Sequence, residues 1–335
     1  MKNVLYIGNA LSSKGKTRTT IDTLGGNLKE ICSIKIASSK SNKVLRLLDM
    51  ILLVLRNSSK TDYVLIDTYS TSNFYFALII SQLCRILRIP YIPILHGGNL
   101  ENRLIHNPTL SALIFKNAYK LVAPSNFLVS IILSHGFKAV EFIPNSIDIE
   151  DYKFLDHKMD DLRLLWVRSF SAIYNPALAV LVLEKLCKDG YNASLTMVGP
   201  EVDGSLDEVK KLANRDNLDI SFTGKLSKKE WIELSKNHNI FINTTNFDNT
   251  PVSVIEAMAL GLPVVSTDVG GMPFLISHEK NGLLVPKENV EAMVNEIIRL
   301  QSDDNIRLSL IKNARHKVEK FDWNAVKPNW QKLLQ

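Results

Sequence analysis

Short apolar runs alternate with longer amphipathic stretches through the whole chain. In the first half the runs are Val4 to Ile7, Ile34 to Ala37, Tyr63 to Asp67, Tyr91 to Leu95, Leu121 to Ala123 and Glu141 to Ile143. In the second half they are Leu162 to Val167, Ser194 to Val198, Ile220 to Phe222, Ile240 to Asn243, Pro263 to Ser266 and Leu283 to Val285. Short apolar runs alternating with longer amphipathic stretches are the pattern of parallel strands joined by crossover helices. The pattern predicts an α/β protein built from two doubly wound, Rossmann-like parallel sheets. Beyond Pro286 it predicts helices only, over about 288–301, 304–319 and 322–334, with Trp323 and Trp330 on one face of the last. That face needs a covering surface, either the second domain or, by crossing back, the first.

A length of 335 residues suits two domains of roughly 150 each. The stretch Asp148 to Asp161 holds six acidic residues and reads as the linker, which puts the domains at 1–155 and 156–320 and a terminal helix at 321–335. Open parallel sheets bind ligands at the carboxyl ends of their strands, so the cleft between two such sheets is the expected site.

Composition, 46% hydrophobic and 22% charged, excludes disordered, collagen-like and coiled-coil classes. The net charge of +6 is unevenly spread. Residues 1–149 carry 17 basic and 8 acidic side chains, and the remainder 23 and 26. This points to an anionic partner for the first half: nucleic acid, an acidic lipid surface or a phosphorylated acceptor. Three well-separated cysteines without metal spacing suit a reducing cytosol. The first residues read as a buried strand rather than a signal peptide. The longest apolar stretches fall short of the roughly 20 residues a membrane span needs. The segment Lys43 to Arg56, apolar on most of its circumference, reads as a core helix, with docking on an anionic membrane as the alternative its basic edges leave open.

The junction after Asn243 is the richest in chemistry. Thr250 is expected to cap a helix with Pro251 at its first position, and Gly261 and Pro263 stop it. Such an N-terminus offers free amides and a positive dipole end to an anion. Asp248 stands in the loop before it and Glu256 lies within it, so two carboxylates reach different parts of one ligand while the amides of Val252 and Ser253 hold its phosphates. Glu256 sits among apolar neighbours and needs a partner. In the first half, His96 follows a strand directly, beside Gly97 and Gly98, which allow close backbone approach. The loop Gly8 to Thr20 carries Lys14, Gly15 and Lys16 but has Ala10 where a P-loop needs glycine, so it reads as a basic turn suited to a phosphate on the acceptor side.

Asp248-x7-Glu256, the following Ala-Met-Ala-x-Gly-x-Pro-Val-Val and Gly270-Gly271 together resemble the signature of the retaining glycosyltransferase family 4, which has the GT-B fold. The likeness continues in Ala-Pro-Ser125-Asn126, Ile-Pro-Asn145-Ser-Ile-Asp148, Val-Gly199-Pro200, Phe-Thr-Gly224 and Asn281-Gly-Leu-Leu-Val-Pro286. It covers the second half nearly end to end and the first half loosely.

The resemblance implies a metal-independent, hexosyltransferase-type enzyme with no cofactor, taking a nucleotide-sugar donor and a sugar or lipid-linked acceptor in polysaccharide or glycolipid synthesis. It implies that Glu256 holds the ribose, Asp248 the donor sugar, and Arg168 the diphosphate. His96 would orient the reacting sugars or shuttle a proton. Three departures stand out. The first carboxylate is Asp248 rather than Glu. Asn249-Thr250-Pro251 replaces a Gly-Phe-Gly segment. Asn175 stands near the place of a family Lys, so either Asn175 gives a neutral hydrogen bond there, or another cation such as Lys225 compensates, or the activity is weak.

No Asp-x-Asp metal motif occurs. The acceptor side falls to the basic half, which favours a phosphate-bearing or membrane-surface acceptor over nucleic acid and leaves open, for a cytoplasmic protein, peripheral association with the inner face of the cytoplasmic membrane. A nucleotide-sugar-binding protein without activity, a nucleotide-sugar epimerase and a P-loop NTPase are the competing readings.

Overall fold

The computed structural model describes residues 1–11, 19–97 and 99–335. Among these residues the chain forms two compact units, Met1–Ser146 with Trp323–Gln335, and Ile147–Asp322.

The first unit is built on a parallel sheet of β1 (Asn3–Ile7), β2 (Ser33–Ala37), β3 (Tyr63–Thr68), β4 (Tyr91–Leu95), β5 (Leu121–Ala123) and β6 (Val140–Phe142), in the order β2-β1-β3-β4-β5-β6. Alternation along the strands splits its core in two. Leu5, Ile7, Val64 and Ile66 pack under the helices Lys43–Asn57 and Asn73–Ile86. Val4, Tyr6, Tyr63 and Leu65 pack with the helix Thr20–Asn27 and with Trp323, Val326 and Trp330 of the C-terminal helix Trp323–Leu333. The two tryptophans therefore bury their shared face on this unit, and Trp323 Nε1–H donates to Glu30 Oε2 at 3.0 Å.

The helix Lys43–Asn57 differs from the core-helix reading. Met50 and Val54 are buried, but Val44, Leu45, Leu48, Leu52 and Leu55 face outward. Its apolar circumference is wider than the sheet can cover.

The second unit carries β7 (Leu162–Val167), β8 (Ala193–Val198), β9 (Ile220–Gly224), β10 (Ile240–Asn243), β11 (Val264–Thr267) and β12 (Leu283–Val285), ordered β12-β11-β10-β7-β8-β9, all parallel. The order reverses direction between β7 and β10, where such sheets bind ligands.

The stretch 148–161 belongs to this unit's fold. Ile147 and Tyr152 lie in its core, and Leu155 N–H donates to the Leu260 carbonyl at 3.0 Å. The chain passes between units at Ser146/Ile147 and again at Asp322/Trp323, and Ile147 bridges Asp322. Among the described residues no helix is long and apolar enough to cross a membrane.

Candidate functional site

In the second unit, the loops that leave β7 and β10 are stitched together. Trp166 Nε1–H donates to Thr244 Oγ1 at 3.0 Å, and that hydroxyl donates to the Tyr174 carbonyl at 2.9 Å. Asn246 N–H donates to the Ile173 carbonyl at 2.8 Å. Thr267 Oγ1 donates to the Thr245 carbonyl at 2.6 Å. Thr244 and Thr245 are fully buried, so these bonds are shielded from water and hold the loop that follows.

The result is an ion pair at the switch point: Arg168 Nη2 binds Asp248 Oδ2. The guanidinium also lies over the Tyr174 ring, 4.7 Å from its centroid. The Arg168 Nε is buried and has no hydrogen-bond partner.

Glycines make this closeness possible. A Cβ on Gly271 would stand 1.7 Å from the Asn249 carbonyl oxygen, and one on Gly199 would stand 1.7 Å from that of Arg168. Gly271 N–H donates to the Asp248 carbonyl at 2.9 Å, so the Gly270-Gly271 pair forms the floor of the Asp248 loop.

Three helix N-termini of this unit differ in how their free amides are met. At Pro176–Lys188, Asn175 accepts from Leu178 N–H at 3.3 Å. At Ser205–Arg215, Glu201 accepts from the amides of Val202, Asp203 and Leu206 at 2.7–2.8 Å and also from that of Gly204. At Val252–Leu260 the cap residue is Pro251, which makes no side-chain cap hydrogen bond.

The expected Thr250 cap is not formed. Pro251, with φ −67° and ψ 121°, stays extended and is itself the cap residue, so Val252 and Ser253 open the helix with amides that have no helical partner. Thr250 is half-buried, Asn249 is buried, and Ser253 Oγ is buried without a partner. Asn175 spends its side chain on the cap and on Asn246 Oδ1 at 3.4 Å, which makes it an organiser of the loop. Lys225 is exposed one residue beyond β9.

Glu256, one turn further into the helix, is buried, and the Tyr152 hydroxyl donates to its Oε1 at 2.5 Å. Lys228 Nζ lies 3.8 Å from the same oxygen and 4.7 Å from the Tyr152 ring centroid. Burial raises the Glu256 carboxyl above the ordinary carboxylate value, against the opposing pull of Tyr152 and Lys228. Burial and the neighbouring Glu256 charge push the Tyr152 hydroxyl up as well, so it remains a donor. Sequence reasoning missed both partners. Tyr152 lies in the supposed linker, and Lys228 sits beside a Ser227-Glu230 capping box that explains its helix without it.

In the first unit, His96 is buried and its Nε2 lies 2.8 Å from Asp67 Oδ1, which also accepts from the Tyr6 hydroxyl at 2.9 Å. The Tyr69 ring stacks on His96 with centroids 4.7 Å apart. Next to the carboxylate, Nε2 is the ring nitrogen placed to donate. Asp67 Oδ2 is buried without a partner, and a Cβ on Gly8 would stand 2.3 Å from it. Gly97, with φ +80°, is exposed with open space around it. Lys14, Gly15, Lys16 and Gly98 lie outside the described residues.

The profile of the family described as glycosyl transferases group 1 matches residues 148–317, half of the chain. The chain belongs to that family. An uncharacterized glycosyltransferase of Methanocaldococcus jannaschii is 26% identical over 298 residues, covering 82% of this chain and 75% of that protein. The N,N'-diacetylbacillosaminyl-diphospho-undecaprenol alpha-1,3-N-acetylgalactosaminyltransferase of Campylobacter jejuni is 27% identical over 215 residues, covering 61% of this chain and 54% of that enzyme.

Among solved structures, HepE of Anabaena in complex with UDP and glucose aligns over 100% of this chain and 99% of its own, with a TM-score of 0.77 at 16% identity. Sucrose-phosphate synthase of Thermosynechococcus elongatus aligns over 99% and 98%, with 0.81 at 15%. The fold of this group 1 member is GT-B.

Proposed function

We propose that the protein moves a sugar from a nucleoside diphosphate sugar to an acceptor hydroxyl with retention of anomeric configuration, in the assembly of a polysaccharide or glycolipid. The observation that carries this reading is the Arg168–Asp248 pair at the switch point of the second sheet, beside a helix N-terminus whose cap residue, Pro251, makes no side-chain cap hydrogen bond. A diphosphate suits that arrangement: the amides of Val252 and Ser253 and the Arg168 guanidinium meet its charge, and the orphaned Ser253 hydroxyl and Arg168 Nε supply further donors. Asp248 contacts the sugar. Glu256, held by Tyr152 and Lys228, takes the ribose hydroxyls.

In the transfer itself, the bond from the anomeric carbon to the β-phosphate oxygen breaks while the acceptor oxygen bonds to the same face of that carbon. The leaving phosphate takes the acceptor proton. Arg168 stabilises the charge that develops on the phosphate, which is the step where a cation contributes most. His96, held by Asp67 in the first unit, serves the acceptor. The acceptor is a sugar or a lipid-linked sugar, a choice supported by the diphospho-undecaprenol in the name of the Campylobacter relative. The UDP complex of HepE supports a UDP-linked donor.

The test is release of nucleoside diphosphate from UDP-, GDP- and ADP-sugars incubated with the full chain without acceptor. Slow release from one of them, abolished in Arg168→Ala, is expected. Binding without release in any case, or interconversion of the free nucleotide sugar, contradicts the transfer chemistry.

A further inference from the structure

We propose that the outward face of the helix Lys43–Asn57 docks the first unit onto an anionic lipid bilayer. A helix lying on a sheet normally turns polar residues to water. Here Val44, Leu45, Leu48, Leu52 and Leu55 are between 43% and 68% exposed, while Met50 and Val54 on the opposite side are buried. Leu45, Leu48, Leu52 and Leu55 follow one another at spacings of three and four, which lines them along a single stripe. Burial in the core accounts for the other side of the helix and leaves this stripe without a partner among the described residues. The helix Asn73–Ile86 covers the same face of the sheet and adds exposed Tyr75, Ile79 and Ile86. Exposed apolar surface on this scale marks an interaction site.

Charge selects the occupant. Lys40 and Lys43 stand exposed at the start of the leucine stripe, Arg56 and Lys60 at its end, and Arg85 and Arg88 at the end of the neighbouring helix. The one acidic residue of the two helices, Asp49, accepts a hydrogen bond from Ser38 Oγ at 2.5 Å. An apolar stripe bounded by cations at both ends matches the boundary of an anionic leaflet, with leucines among the acyl chains and basic side chains at the headgroups. A second copy of the chain matches poorly. Pairing the stripe with itself in antiparallel fashion sets Lys43 against Arg56, and in parallel fashion sets each against its own equivalent, so cations face cations either way. The excess of 17 basic over 8 acidic residues in 1–149 extends the attraction to the whole unit.

This inference does not rest on the donor-site reading, and its test uses no nucleotide. The full chain is mixed with vesicles of phosphatidylcholine alone and with vesicles in which about a third of the lipid is phosphatidylglycerol, and bound protein is measured by flotation. Binding to the anionic vesicles at least about tenfold stronger than to neutral ones, weakened by high salt, is expected. Leu48→Glu/Leu52→Glu should lower it by about tenfold or more while keeping the melting temperature of the parent, since both positions are exposed. Lys43→Glu/Arg56→Glu, which leaves the apolar stripe intact, should weaken anionic binding alone. Absence of binding by the parent chain overturns the proposal. So does undiminished binding by both variants, or a parent dimer in solution that Leu48→Glu/Leu52→Glu converts to monomer, which would assign the face to a second copy.

Discussion

The Tyr152 hydroxyl reaches across 104 residues of sequence to donate to Glu256 Oε1 at 2.5 Å. That bond gives a buried carboxylate its fixed orientation, and it fastens the segment after the first crossover to the helix that opens at the switch point. Removing only the hydroxyl, in Tyr152→Phe, keeps the ring and orphans one buried acceptor, so a stability loss of about 1–3 kcal/mol is expected in chemical denaturation. Donor affinity, read by calorimetry, should fall with it. A variant as stable as the parent would show that the bond carries no weight.

Glu256→Gln separates stability from binding. The carboxyl is raised above its ordinary value of 4.5 by burial, so the folded state holds the proton more tightly than the unfolded chain does. Its contribution to stability is therefore fully present below 4.5 and is lost as pH rises through the raised value. At neutral pH the neutral amide escapes that loss. The variant should melt higher than the parent at pH 7 and converge with it in acid, while donor affinity drops. Equal melting temperatures across the pH range would refute the claim.

Arg168→Ala should lower turnover by roughly 100- to 1,000-fold while weakening donor binding much less, because the cation acts where charge develops. Arg168→Lys should restore little of it, since an ammonium lacks the planar fork that Asp248 and a phosphate share. Steady-state kinetics beside calorimetric binding tells turnover from affinity. An unchanged rate in the alanine variant removes the role.

Gly271→Ala and Gly26→Ala form a matched pair. The first puts a methyl 1.7 Å from the Asn249 carbonyl oxygen and must lift the Asp248 loop off its floor, whereas the second has nothing within 4 Å. Donor affinity should fall by tenfold or more, about 1.4 kcal/mol, only in the first. Gly26→Ala, near the end of the helix Thr20–Asn27, should raise stability by about 0.5–1 kcal/mol. Equal donor affinity in the two variants would mean that the loop tolerates the shift.

Short apolar runs between amphipathic stretches mark parallel strands, which is why all twelve were legible to within two residues in the sequence, including the partly exposed edge strands β2, β6 and β9. The three terminal helices were legible for a similar reason, from the periodicity of residues such as Trp323 and Trp330. Asp248 and Glu256 could be read because their spacing lies within one strand–loop–helix unit.

Other features depend on contacts that no local pattern encodes. Tyr152 stands in a stretch with six acids, and only the folded chain buries it against Glu256. Asp67 looks like the end of a strand until β3 and β4 pair and bring His96 beside it. Apolar periodicity in Lys43–Asn57 marks a helix but not how much of its surface the sheet can cover. A proline fits both the cap and the first turn, and the ψ of Pro251, set by the loop before it, decides which.

The central claim is that the second unit holds a nucleoside diphosphate sugar through Arg168, Asp248, Glu256 and the helix N-terminus at Val252. A thermal-shift panel of UDP-, GDP- and ADP-sugars tests it most directly. A ligand bound only by the folded state at about 100 times its Kd stabilises by roughly 2.7 kcal/mol. At least one donor should raise the melting temperature of the parent by several degrees and leave that of Glu256→Ala unmoved. No shift with any of the three, or the same shift in the variant, would contradict the account.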